Sequence, residues 1–159
     1  SYRLIIPFYF EGRVVGWTGR SVNPDKKPKY LTEVQPGFVY GLDEQGYNKA
    51  FAIVCEGQLD AIHIDGCALG GSEISDQQAM LLNRLQKQII VCPDRDKAGI
   101  ELMLQAAELG WEVSFPPWHV DCKDAADAVN MYGRLATVSS IIKHATGNKL
   151  KIEVKAKMI

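Results

Sequence analysis

Residues 89–99 read Ile89-Ile90-Val91-Cys92-Pro93-Asp94-Arg95-Asp96-Lys97-Ala98-Gly99. A short, continuous apolar run, bounded by a proline, predicts a strand covered on both faces. Two aspartates follow it, separated by one residue, so in extended chain their side chains point the same way. A helix from Lys97 to Leu109 comes next, ended by Gly110, and Gly99 in its first turn permits close approach to the sheet or to a phosphate.

The same unit recurs on both sides. Ala50–Cys55 is another short apolar run, followed by Glu56-Gly57 and a helix over Gln58–Asp65. Cys67-Ala68-Leu69 predicts a brief strand closed by Gly70-Gly71. Ser75 caps a helix running to about Gln86, with Gln78 as its capping-box partner. Trp111–Phe115 predicts a fourth strand, stopped by Pro116-Pro117. Asp124–Tyr132 and Ser139–Ala145 read as helices, and the alternating Lys149–Lys155 as a last strand. Strands alternating with helices over short links call for an α/β fold with a mostly parallel central sheet flanked by helices.

Ligands of such sheets bind at the carboxyl ends of the strands. Glu56, the Asp94/Asp96 pair and the Asp121–Asp127 cluster each follow a predicted strand, so all three groups emerge at one edge. Carboxylates gathered there repel one another unless a divalent cation neutralises them. Hard oxygen ligands favour Mg²⁺ or Mn²⁺, which keep waters and also take phosphate oxygens. Gly57 lets the backbone turn sharply after Glu56 and leaves room for a ligand. Two plainer readings stay open on spacing alone: acidic helix caps, and a metal site without catalysis.

Before residue 50 the pattern differs. Arg3–Phe10 and Arg13–Trp17 read as two strands joined at Glu11-Gly12, followed by a polar loop with Pro24 and Pro28. The division that results is a strand-rich unit over 1–48, the α/β unit over 49–132 and an extension over 133–159. The opening Ser1-Tyr2-Arg3, without Met, suggests a piece of a longer protein. The net charge of −1 conceals basic ends and an acidic middle, as expected of a cation-binding centre flanked by surfaces able to meet phosphate. Cys55, Cys67, Cys92 and Cys122 lack zinc-ribbon spacing and read as small buried hydrophobes in a reducing compartment. Without an apolar run of 18 residues or a signal-peptide pattern, the expectation is a cytoplasmic protein with no membrane partner.

Ile53-Val54-Cys55-Glu56-Gly57-Gln58-Leu59-Asp60 resembles the glutamate motif of the TOPRIM fold as bacterial primases write it. Val91 to Gly99 resembles the family's Asp-x-Asp-x-Ala-Gly motif, and Lys123-Asp124-Ala125-Ala126-Asp127 its final Lys-Asp motif. Gly12-Arg13-Val14-Val15-Gly16-Trp17-Thr18-Gly19-Arg20 and Pro28-Lys29-Tyr30-Leu31 are similar to the strand-rich segment that precedes the TOPRIM fold in primases. There are departures: Arg95 stands where bacterial primases usually have Gly, and three residues separate Asp124 from Asp127. Phage and plasmid primases vary at both places.

The resemblance implies the polymerase core of a DNA primase, a nucleotidyltransferase that makes short RNA primers on a single-stranded DNA template from ribonucleoside triphosphates. It implies Glu56, Asp94 and Asp96 as catalytic metal ligands, Asp124 as a ligand or one step behind, and Asp60 and Asp127 as orienting carboxylates. Arg20, Lys29 and Gly57 then face nucleotide or template, and a replicative helicase is the partner of regions outside this chain. Arg95 has two readings, pairing with its flanking acids or contacting phosphate. Trp17 admits base stacking, Trp111 belongs in the core, and the three histidines carry no role. A TOPRIM nuclease or topoisomerase subunit, and a non-catalytic nucleic-acid-binding module, are the alternatives.

Overall fold

The computed structural model describes residues 2–158; Ser1 and Ile159, which end the first and last of the three expected units, lie outside the described residues. At the N-terminal end, β1 (Arg3–Phe10), β2 (Arg13–Ser21) and β3 (Tyr30–Val34) form an antiparallel meander in the order β1-β2-β3. Glu11 and Gly12 turn the first hairpin at φ 50° and 75°, the left-handed pair that a two-residue turn between twisted strands demands. The Asp43 carboxylate accepts both of their N–H groups, at 2.9 and 2.8 Å. Phe8 packs edge-on against Tyr40, with ring centroids 5.5 Å apart, and Phe10 against Phe38 at 5.3 Å. These contacts fasten the meander to the segment leading into the α/β unit.

That unit is a five-stranded sheet in the order β5-β4-β6-β7-β8. β4 (Phe51–Cys55), β5 (Cys67–Ala68), β6 (Gln88–Val91) and β7 (Glu112–Ser114) run parallel, and β8 (Ala145–Thr146) closes the edge antiparallel. Because side chains alternate along a strand, the apolar runs of β4 and β6 split between two cores. Ala52, Val54, Ile89 and Val91 pack with Leu82 of α2 (Asp76–Asn83), Leu102 and Met103 of α3 (Lys97–Glu108) and Ile152 of α6 (Lys149–Ala156). Ile53, Cys55, Ile90 and Cys92 face the other way, onto Ile64 of α1 (Gln58–Ile64), Ala125 of α4 (Ala125–Tyr132) and Ile141 of α5 (Arg134–Lys143). Each large side chain so buried contributes roughly 1.5–3 kcal/mol, which makes β4 and β6 the spine of the unit. All four cysteines are buried and unbridged, and Trp111 is in the core. Ser75 and Gln78 form the expected capping box on α2. No helix among the described residues is long and apolar enough to cross a membrane.

Several boundaries differ from the sequence reading. β2 continues past Trp17 to Ser21, and β3 forms after the proline-containing loop. β7 is trimmed to three residues. α5 starts at Arg134 rather than Ser139, and Ala145 leaves the helix for β8. Lys149–Lys155 is no strand. Its alternation is real in sequence, but Asn148 caps a helix there through Lys151 N–H, and only Ile152 of that helix is buried.

The helix makes a specific expectation. Ile152 is 1% exposed, against 69% for Leu150 and 50% for Val154. Ile152→Ala should lower the unfolding free energy by about 2–5 kcal/mol, while Leu150→Ala and Val154→Ala each cost less than about 1 kcal/mol in denaturant titrations. Equal losses at all three positions would restore the strand.

Candidate metal centre

Glu56 is the first residue after β4, and Asp94 lies three residues beyond β6, its neighbour in the sheet. The Asp94 N–H donates to Glu56 Oε1 at 3.2 Å, so the acid ending one strand holds the loop ending the next. Asp96 is the N-cap of α3, with its Oδ1 accepting Gly99 N–H at 2.9 Å. Asp124 is likewise the N-cap of α4, accepting Asp127 N–H at 2.8 Å. The cap reading of these two aspartates therefore describes one oxygen of each and leaves the other free of that bond. Asp60, buried in α1, accepts Ala126 N–H at 2.9 Å and thereby ties α1 to the start of α4. Asp127 turns back to accept Lys123 N–H at 3.1 Å.

The two glycines near these acids serve space rather than turning. Gly57 has extended backbone, φ −97° and ψ 146°, so no sharp turn needs it. A Cβ there would sit 2.8 Å from Asp60 Oδ2. At Gly99 a Cβ would lie 2.0 Å from the Asp94 carbonyl oxygen, so α3 approaches the Asp94 backbone as no side-chain-bearing residue allows.

Burial and mutual repulsion raise the proton affinity of the clustered acids. Burial pushes the Asp94 carboxyl up to about 8, with further upward pressure from Glu56, Asp60, Asp124 and Asp96. Asp60 is pushed up to about 6, by burial first; the Ala126 N–H opposes this, and the adjacent Asp124 carboxyl adds to it. Burial raises Glu56 too, against the bond from Asp94 N–H. Among the described residues, no three His, Cys, Asp or Glu side chains close on one point as a ready set of direct ligands. An all-oxygen, anionic and loosely spaced set suits a hard divalent cation that keeps part of its water shell.

Glu56, Gly57, Asp60, Asp94, Asp124 and Asp127 line one cleft of about 620 Å³ together with Thr18, Arg20, Lys29, Tyr30 and Thr32 of the meander. Asp96 is exposed nearby but is not part of the cleft lining. Arg20 donates to Tyr30 Oη at 2.8 Å and lies 5.5 Å from the centre of that ring, with Lys29 at 5.7 Å. Cations therefore face the acids across the cleft. Sequence reading missed the threonines, which are cross-strand partners with hydroxyls 2.9 Å apart, because it ended β2 before Thr18. It also passed over His63 and Asn130, which reach the same cleft. Trp17, Arg95 and Trp118 are absent from the lining.

Residues 53–132 match the family described as Toprim-like. The chain belongs to that family. Among sequence relatives of this Toprim-like protein, the DNA primase of Aquifex aeolicus is 28% identical over 152 residues, 83% of this chain and 30% of that one. The chain spans less than a third of the length of the curated relatives it matches. The crystal structure of the zinc-binding and RNA polymerase domains of the Aquifex primase superposes with a TM-score of 0.73 at 27% identity, covering 89% of this chain and 40% of that one. A DnaG primase catalytic domain bound to ssDNA shares the fold, with a TM-score of 0.74 at 23% identity, covering 91% and 52%.

The raised carboxyls predict a pH effect of definite sign. A group whose folded value exceeds its ordinary one, near 3.8 here, stabilises fully below about pH 4 and loses that contribution as pH climbs through the folded value. Without divalent cations, thermal stability should fall between about pH 4 and about pH 8, the contribution of Asp60 being lost by about pH 6 and that of Asp94 by about pH 8. Excess Mg²⁺ should remove most of that fall, and Asp94→Asn should flatten it without any cation. An identical decline with and without Mg²⁺ in the wild-type protein would argue against a cation site here.

Proposed function

We propose that this Toprim-like chain carries the metal centre of a DNA primase polymerase core, which joins ribonucleotides into short primers on single-stranded DNA. One observation carries the reading: the carboxylates at the ends of β4 and β6 and at the start of α4 share a cleft with Arg20 and Lys29 of the meander. Acids that hold a divalent cation and bases that hold phosphate, a cleft's width apart, are what a nucleoside triphosphate needs. The primase relatives, and the ssDNA held by a protein of the same fold, support the same reaction and template.

Glu56, Asp94 and Asp96 are the assigned ligands of Mg²⁺ or Mn²⁺, with Asp124 a ligand or in contact with one, and Asp60 and Asp127 orienting the start of α4. When bound, the divalent cations lower the cost of charge on the attacking 3′-oxygen and the leaving pyrophosphate. Gly57 keeps the approach to Asp60 open. Arg20, steadied by the Tyr30 hydroxyl, offers a planar fork to the triphosphate or the template phosphate, and Lys29 adds a mobile positive charge. Association with a replicative helicase belongs to regions outside these residues.

In the full-length protein, Asp94→Ala should abolish primer synthesis on single-stranded template with circular dichroism unchanged; undiminished synthesis by the variant would refute the assignment. Arg20→Ala should raise the KM for ribonucleotides about tenfold or more, the loss of a charge-assisted contact of roughly 1.5–3 kcal/mol, and leave divalent-cation affinity as it was. Cleaved DNA in place of primers would move the chain to the nuclease branch of the fold.

A further inference from the structure

Arg95 stands between Asp94 and Asp96 yet forms an ion pair with neither among the described residues. Its guanidinium swings away from the acids to the loop between β7 and α4. There it donates to the Trp118 carbonyl at 3.1 Å, the His119 carbonyl at 3.4 Å and the Pro116 carbonyl. It also lies 5.1 Å from the centre of the Phe115 ring and 5.6 Å from that of Trp118. Its own N–H donates to the Lys123 carbonyl at 2.9 Å, immediately before Asp124. One residue therefore fastens the Asp94–Asp96 loop to both ends of the segment that delivers Asp124.

That segment is anchored in turn. Trp118 Nε1 donates to Ser140 Oγ at 2.7 Å, His119 N–H to Tyr132 Oη at 2.9 Å, and Cys122 is fully buried. The clamp thus rests on α4 and α5 rather than on loose chain. No lysine can reproduce a planar donor set spread over several carbonyls and stacked on two rings.

We infer that Arg95 is a positioning residue for the cation site, locking the distance between the Asp94/Asp96 pair and Asp124; this rests on the reading of those carboxylates as metal ligands. Removing a positive charge beside an acidic cluster should, by Coulomb's law alone, tighten cation binding. Loss of a clamp should weaken it, since groups that orient metal ligands are typically worth 10–100-fold in affinity.

The test is Mn²⁺ titration of the whole chain, followed by the electron paramagnetic resonance of free Mn²⁺, for wild type, Arg95→Ala, Arg95→Lys and Asp94→Ala. Expected are at least about tenfold weaker binding in Arg95→Ala, a smaller loss in Arg95→Lys, which keeps the charge but not the fork, and little binding in Asp94→Ala. A cooperative thermal transition for each variant separates altered affinity from unfolding, since a merely structural role moves the transition and not the affinity of the folded protein. Equal or tighter binding by folded Arg95→Ala overturns the inference and leaves the metal centre standing. Should Arg95→Ala fail to fold, unchanged affinity in Arg95→Lys overturns it instead. Wild-type binding no better than that of Asp94→Ala would remove the metal centre and the inference together.

Discussion

The bond from Asp94 N–H to the Glu56 carboxylate joins two acidic loops that would otherwise repel each other. It exists because β4 and β6 are paired in parallel over Phe51–Val54 and Gln88–Val91, so their carboxyl ends finish side by side. The pairing in turn depends on apolar side chains on both faces of those two strands, and hence on helices covering both. The acidic edge is thus a product of the deepest part of the core, which keeps it in place while its charges oppose it.

The cost of that arrangement is spread over ordinary structural devices. Asp96 and Asp124 offset part of their repulsion by capping α3 and α4, and Asp60 does so by holding the Ala126 N–H. Helix caps and metal ligands are not exclusive roles. A carboxylate has two oxygens, and one can fix the rotamer while the other stays available. Gly57 and Gly99 complete the logic by being small where two backbones or a backbone and a carboxyl must come close.

The α/β unit was readable because its strands are continuous apolar runs and its helices carry caps, as at Ser75 and Asp96. The acidic edge followed from the place of each acidic group after a predicted strand of a mostly parallel sheet. Three things were hidden. β3 is exposed or half-buried and held by pairing with β2, so no local pattern announces it, and the threonines opposite the acids went unseen with it. Lys149–Lys155 alternates like a strand, and the Asn148 cap together with packing of Ile152 against the α2–α3 face makes it a helix. Arg95 lay within reach of two acids in sequence, but the carbonyls that claim it belong to residues 116–119, whose position no spacing rule supplies.

Cys55 and Cys92 end the runs of β4 and β6, directly beneath the acidic edge, and burial raises both thiols well above their ordinary range. Enclosed and protonated, they are shielded from oxidants and alkylating reagents while the sheet is closed. Each is thereby a native reporter: the rate at which a thiol reagent reaches it measures how often the core between the sheet and α1, α4 and α5 opens.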